Sequence, residues 1–353
     1  MPHALYIFEH CVSTTGYLRG MVIDLQRGDI HPVPMELLEL IERQRTNAID
    51  IVVHDNERIG YGVINRQDHI DYILKTEVGT VVPIAFLRYR KAMSFEWDYP
   101  GKIVDGVIEV TASNIDFLNA MVSKLCDFGL RHLHFLIPDC TCIIIEKLLN
   151  SMDSTAINKY YATIATHIER EHVTKMFESD GRLGQVEIVS DFCEDGIVGM
   201  RRLFDHSPRR INMIVNVKHY CEGLRFNSAF NRRVWVSEVM RYSWGRPDGP
   251  GYESLEELIM NDTNEIAQII KDKVDICKDC EFRRVCYDTR KPIVRSGGGW
   301  YHASECNYNP YICKWSDEEG YRTLAECGVV SNAEGFSIDH DRIAAINAEL
   351  WGE

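Results

Sequence analysis

Cys277, Cys280, Cys286 and Cys306 are the residues of this chain whose type and spacing point most directly to chemistry. The first three stand in Cys277-Lys-Asp-Cys280-Glu-Phe-Arg-Arg-Val-Cys286. The fourth follows twenty residues later, in Ser-Glu-Cys306-Asn-Tyr-Asn-Pro-Tyr. Four thiolates this close, two of them spaced C-x2-C, can close around one tetrahedral metal or one iron–sulfur cluster, because loop amides also point at the bound ion. Spacing separates both of these from free thiols, but it does not decide between zinc and iron–sulfur. One absence also matters: no C-x3-C-x2-C occurs in the chain, so the triad that holds a radical-generating cluster is missing.

Around these cysteines the chain has 353 residues, 45% hydrophobic and 26% charged, enough for two or three domains with a buried core. A formal net charge of -14 argues against sequence-independent binding to nucleic acid, and the pairs Arg209-Arg210 and Arg232-Arg233 do not overturn that. The start, Met1-Pro-His-Ala-Leu-Tyr-Ile-Phe, does not read as a signal peptide, and stretches such as Cys142-Ile-Ile-Ile are far too short to span a membrane. Twelve cysteines without an export signal point to reduced thiols and metal ligation, hence a cytoplasmic location.

The expected fold class is α/β. In the N-terminal region, Leu5–Phe8 and Met21–Leu25 read as strands, with Arg27-Gly28-Asp29 turning into Ile30–Val33. Pro34 opens an amphipathic helix from Met35 to Gln44 with Leu37, Leu38 and Ile41 on its apolar face. A short helix is expected around Ala48–His54. A third, capped by Asn65, buries Ile70, Ile73 and Leu74.

From Lys102 to about Val217 strands and helices alternate. Val107–Val110, His132–Ile137, Gln185–Ser190 and Ile211–Val217 read as strands. Ser113 with Asp116 caps a helix carrying Ile115, Leu118, Val122 and Leu125, and another helix falls near Ile143–Asn150. This alternation predicts a parallel sheet or partial β/α barrel, since the segment is too short for eight units. After Arg232 the pattern changes. Val234–Val239 alternates like an antiparallel strand, Trp244–Gly251 is loop, and Ser254-Leu-Glu-Glu257 is a capping box that leads into the cysteines.

Other residues invite weaker readings. Cys140 and Cys142 lie at the end of the His132 strand, where parallel sheets bind ligands, although small half-buried cysteines in a turn fit as well. Cys313 is an alternative fourth ligand. His167 and His172 are five apart, about 140° around a helix, so they do not form a zinc-hydrolase pair and read as a solvated face. Asp339-His340-Asp341 reads as surface. Gly297-Gly298-Gly299 lets the chain bend back toward the metal, and no phosphate-binding loop is present.

Cys277-x2-Cys280-x5-Cys286 with Cys306, preceded by Glu253-Ser-Leu-Glu-Glu-Leu-Ile, resembles a SPASM domain, the C-terminal extension of peptide-modifying radical SAM enzymes. The resemblance implies one auxiliary [4Fe-4S] cluster on Cys277, Cys280, Cys286 and Cys306. Where the family places a further cysteine for a second cluster, this chain has Arg290, and the upstream G-x4-C is missing. Three runs resemble a narrower group, the SPASM proteins of grasp-with-spasm peptide systems. They are Asp24-Leu25-Gln26-Arg27, Phe95-Glu96-Trp97-Asp98-Tyr99-Pro100, and Cys280 to Pro292 continuing through Trp300–Tyr311. The N-terminal strands and helices resemble the leader-binding winged-helix modules of the PqqD type.

Together these imply a PqqD-like module over 1–85, a degenerate radical SAM-like barrel over 86–230, a SPASM-like metal domain over 231–325 and a tail over 326–353. The implied function is that of a non-radical partner in maturation of a ribosomally made peptide. It would bind the precursor and assist an ATP-grasp ligase, with no SAM bound and one [4Fe-4S] cluster or a Zn2+ ion. An enzyme using the cluster, with Cys140 and Cys142 as first candidates, and a zinc-bound scaffold are the alternatives.

Overall fold

The computed structural model describes residues 3–47, 52–53, 58–59, 67–89, 101–153, 155–178, 180–190, 195–204, 213–261 and 264–352. It shows a mixed α/β protein with a central, mainly parallel sheet. The chain opens with strands β1 (His3–Ile7), β2 (Cys11–Thr15), β3 (Gly20–Asp24) and β4 (Asp29–Val33), then helix α1 (Met35–Asn47). β2, β3 and β4 form an antiparallel sheet. Its second turn needs a left-handed residue, and Gly28 supplies φ +82° while its N–H bonds to the Asp24 carbonyl at 2.9 Å. Leu37, Leu38 and Ile41 of α1 are buried, as their spacing predicts.

β5 (Val52–Val53), β6 (Arg58–Ile59), helix α2 (Gln67–Lys75) and β7 (Gly79–Pro83) complete this region, with sheet order β6-β5-β1-β7. The short helix expected at 48–54 is corrected here, since Val52 and Val53 pair with β1 as a strand. Two adjacent β-branched residues pack better on a pleated surface than in a helix turn. The rest of that segment, Asn65 and the run Phe95–Pro100 lie outside the described residues.

The outer edge of β4 is largely blunted. Pro32 has no N–H, so its pairing with Met21 is of the non-hydrogen-bonded kind and its carbonyl points away from β3, where the Tyr72 hydroxyl donates to it at 3.1 Å.

The central unit consists of β8 (Asp105–Glu109), α3 (Leu118–Asp127), β9 (His132–Ile137), α4 (Cys142–Met152), β10 (Lys159–Ala165), α5 (Arg170–Phe177), β11 (Leu183–Ser190), α6 (Gly196–Phe204), α7 (Val217–Gly223), β12 (Arg233–Val236), β13 (Tyr242–Trp244) and α8 (Leu255–Met260). The sheet runs β11-β10-β9-β8-β12-β13 and is parallel except for β13. It is an open six-stranded sheet. One face buries Ile108, Phe135, Tyr160 and Ile164 against α3, α4, α5 and α8. The other packs Val107, Leu136, Ala165 and Trp235 against Ile197 and Met200 of α6.

Three local readings change here. Arg233–Val236 is antiparallel only to β13 and runs parallel to β8, so this strand belongs to the central sheet rather than to a separate C-terminal unit. The strand expected at 211–217 is replaced, among its described residues, by a single bridge at Met213 and the start of α7 at Val217. Asn216 caps α7 by accepting from the His219 N–H, which ends any extended run. Ser113 does not cap α3: its hydroxyl meets Thr111 at 2.7 Å, and a 3-10 turn at Ile115–Phe117 leads into the helix.

The C-terminal part has three hairpins, β14 (Pro292–Val294) with β15 (Trp300–His302), β16 (Tyr308–Asn309) with β17 (Lys314–Trp315), and β18 (Val329–Ser331) with β19 (Phe336–Ile338). Helix α9 (His340–Trp351) follows. No described helix is long and apolar enough to cross a membrane.

Candidate metal centre

The segment before the cysteines is fixed by short polar contacts. Ser254 caps α8 through the Glu257 N–H at 3.2 Å, while the Glu257 carboxylate accepts from the Glu253 N–H, one residue earlier than in an ideal capping box. Ile276 then takes φ +68°, a costly conformation for a β-branched residue, and the chain enters the 3-10 turn Cys277–Asp279. That turn, closed by Cys280 N–H to Cys277 C=O at 3.1 Å, sets the C-x2-C pair on one side of the loop. The Cys286 N–H bonds to Phe282 C=O at 2.9 Å, and Cys286 bridges to Met213.

Cys306 arrives from the other direction. The β14–β15 hairpin reverses through Gly298 and Gly299, at φ +89° and +85°, and returns the chain to the first three cysteines. Cys277, Cys280, Cys286 and Cys306 line one cavity of about 180 Å³. Burial pushes all four thiols up, Cys277 to about 11, and Cys277, Cys280 and Cys286 are each raised further by at least one of the others. Four desolvated thiols in mutual electrostatic contact oppose their own ionisation, and a bound cation relieves that opposition. Cys313 does not line this cavity. It takes φ +53°, and its thiol donates to the Pro310 carbonyl at 3.7 Å.

Beside the thiols lies a charge cluster that spacing gave no means to find. Asp288 is 1% exposed and accepts from Lys271 Nζ at 3.0 Å and from Arg290 Nε and Nη2 at 2.9 and 2.8 Å. These cations hold its carboxyl well below the usual carboxylate range despite burial. Arg290, at the position where the related pattern has a cysteine, also donates to the Ser304 carbonyl at 2.7 Å. It braces the loop that carries Cys306. His302 Nε2 lies 3.4 Å from Asp288, and burial lowers its pKa to about 4, so the ring is neutral at pH 7.

Two buried cations against one buried carboxylate leave a surplus positive charge facing the thiols. A metal or cluster held by four thiolates carries roughly two net negative charges, so this donor set and its surroundings fit such a group. Cys277, Asp288 and His302 also bring a sulfur, an oxygen and a nitrogen within 4.8 Å of one another. A second group of that kind is His10, Cys11 and Asp24. There Asp24 Oδ1 already accepts the N–H groups of Gln26 and Arg27 at 2.9 Å, so the carboxylate closes a turn.

The N-terminal sheet is part of the site's wall. Val12, Met21, Ile23 and Leu25 share one core with Phe282, Val285, Cys286, Tyr308 and Trp315. Arg19 Nε donates to Glu281 Oε1 at 2.9 Å, Tyr308 donates to the same oxygen, and the Tyr17 N–H bonds to Asp279 C=O at 2.8 Å. Glu281, adjacent to Cys280, is fully buried.

The remaining candidates separate clearly. Cys140 is 2% exposed in the core under α4, with its thiol pushed up to about 12, whereas Cys142 opens α4 half-buried. His167 precedes α5 while His172 lies within it, so the two histidines are not on one helix. Asp339 is not loose surface: it caps α9 by accepting from the Arg342 N–H, and His340 Nδ1 lies 2.6 Å from the Tyr17 hydroxyl.

No protein-family model matches the chain, and no curated protein matches it. Among solved structures, Streptococcus suis SuiB bound to S-adenosylmethionine matches at 9% identity and a TM-score of 0.21, over 80% of this chain and 94% of that one. A likeness that low carries no argument about this chain, and the functional reading rests on its own residues.

Proposed function

We propose that this chain is a non-radical, four-cysteine metalloprotein that binds a ribosomally made precursor peptide and assists an ATP-grasp ligase in modifying it. The metal would be one [4Fe-4S] cluster on Cys277, Cys280, Cys286 and Cys306. The observation that carries the metal half is the shared cavity. All four thiols line it, and four thiolates are the ligand set that one [4Fe-4S] cluster takes. The cluster would tie the loops that carry Cys277–Cys286 to the loop that carries Cys306.

The peptide half rests on the resemblance of the N-terminal region and of Cys280–Tyr311 to SPASM proteins of peptide systems. Strand addition needs an edge with unpaired N–H and C=O groups. On the edge opposite the blunted β4, that of β2, Ser13 faces away from β3 by alternation with the Met21–Thr14 pair, while the Cys11 N–H is taken by the Phe8 carbonyl and the Thr15 carbonyl by Arg283, which narrows that expectation to Ser13. The enzyme alternative is weakened by the position of Cys140, which lies in the core with a raised pKa rather than at an accessible sheet end.

Co-expression of the chain with a candidate precursor peptide and an ATP-grasp ligase tests the partner role. A complex of chain and peptide on size-exclusion chromatography, and faster ligation in its presence, are expected. Ligation at the same rate without the chain contradicts the proposal.

A further inference from the structure

Two of the cations that line the cysteine cavity are buried: Lys271 is 5% exposed and Arg290 4%, and both bond the Asp288 carboxylate. An exposed charge is screened by water and salt, whereas a buried one acts at close range through a medium of low polarity. The other charged residues of that wall are engaged elsewhere or meet solvent. Arg283 donates to Asp272 at 2.9 Å, Asp275 pairs with Lys278 at 3.0 Å and with Arg295 at 2.6 Å, and Glu305 is exposed.

The backbone that carries the cysteines also holds these two cations. The 3-10 turn Lys271–Lys273 closes with the Val274 N–H on Lys271 C=O at 3.2 Å, and the Val274 carbonyl accepts from the Lys278 N–H at 2.9 Å. Two consecutive turns therefore fix Lys271 relative to Cys277. Arg290 is tied to the Cys306 loop through Ser304 C=O at 2.7 Å. Burial opposes the Lys271 charge, while Asp288, then Cys286 and Cys277, sustain it. For Arg290 the sustaining groups are Asp288, then Cys306 and Cys277. Each cation is thus in electrostatic contact with two of the four thiols.

Resting on the cluster reading of this site, we propose that Lys271 tunes the bound cluster: its buried charge raises the one-electron reduction potential, and Arg290 acts in the same sense from the Cys306 side. Adding one electron makes the four-thiolate group more negative, and a fixed positive charge in the buried wall favours that form. A Lys271 that served only to hold Asp288 would leave the potential where it is.

Redox titration of the full-length protein with dithionite, followed by the EPR signal of the reduced cluster, reads the effect, with iron and sulfide measured alongside. Lys271→Gln keeps a donor for Asp288 and removes the charge. It is expected to retain its iron and to make reduction about tenfold less favourable, a downward shift of about 59 mV for a one-electron couple. Arg290→Gln should shift in the same direction, and Lys271→Arg, which keeps the charge, should stay near the unmodified protein. Lys278→Gln removes the exposed cation between Cys277 and Cys280 and should change the equilibrium by less than about twofold. An unchanged or raised potential in Lys271→Gln, or an equal shift in Lys278→Gln, would overturn the proposal and leave the cluster reading intact. Loss of the cluster from both Lys271→Gln and Arg290→Gln would make these cations assembly residues and overturn the tuning role. Zinc in place of iron would overturn the cluster reading and this inference with it.

Discussion

Lys271 Nζ and Asp288 Oδ2 stand 3.0 Å apart in the wall of the cysteine cavity, the two residues only 5% and 1% exposed. Arg290 and His302 converge on the same carboxylate, so one acid carries the balance of the whole cluster. Removing it would strand two buried cations. Asp288→Asn is therefore expected to lower stability by about 3–5 kcal/mol and to release the metal. The exposed pair Lys291–Asp248 offers the contrast: Asp248→Asn should cost about 0–1 kcal/mol. Denaturant titration of both variants checks the difference, and equal losses would mean that burial is not what matters.

Arg19 reaches from the N-terminal sheet to Glu281, next to Cys280. The two regions share a core, so the N-terminal sheet is not a detachable arm. Deleting residues 1–80 is expected to reduce metal retention as well as any peptide binding. Arg19→Met, which leaves Glu281 buried without its cation, should cost about 3 kcal/mol or more. Metal-to-protein ratios after gel filtration measure the first, and full retention by the deletion variant would contradict the shared-core account.

Cys306 and Cys313 are seven residues apart yet have different surroundings, one lining the cavity and the other outside it with its thiol on the Pro310 carbonyl. Cys306→Ala should lose most bound metal, while Cys313→Ala should keep it. Metal content of the two variants decides, and the reverse pattern would mean that the loop carrying Cys313 supplies the ligand.

His219 and Glu222 share α7 and titrate in opposite senses. Burial lowers His219 to about 4, so between pH 6.5 and 4 the unfolded chain binds a proton that the folded one refuses, and stability falls as pH drops. Burial raises Glu222 to about 7, so the folded form takes the extra proton between pH 4.5 and 7, and stability is lost as pH rises through that window. Glu222→Gln keeps an acceptor for Asn231 and should therefore stabilise the protein at pH 8, by on the order of 2 kcal/mol. His219→Gln should flatten the decline between pH 6.5 and 4. Urea unfolding at pH 5 and pH 8 reads both effects, and a Glu222→Gln variant less stable at pH 8 would contradict the first.

Much of the fold was legible because local signals agreed with tertiary ones. The Gly28 turn, the Leu37–Ile41 stripe, the β/α alternation and the Ser254 cap all state their structure within a few residues. What was not legible depended on distant partners. Val52 and Val53 form a strand because β1 lies beside them, and Arg233–Val236 joins the central sheet because β8 offers it a parallel edge. At the candidate site the four cysteines announced themselves by spacing. Lys271, Asp288 and His302 did not, since a charge cluster drawn from three segments has no spacing to read.

The most direct test is the iron, sulfide and zinc content of anaerobically purified protein, with its visible absorption. About four iron and four sulfide per chain are predicted, with a broad visible band that disappears in Cys306→Ala. One zinc per chain, no sulfide and no colour would contradict the cluster and leave Cys277, Cys280, Cys286 and Cys306 as a structural zinc site.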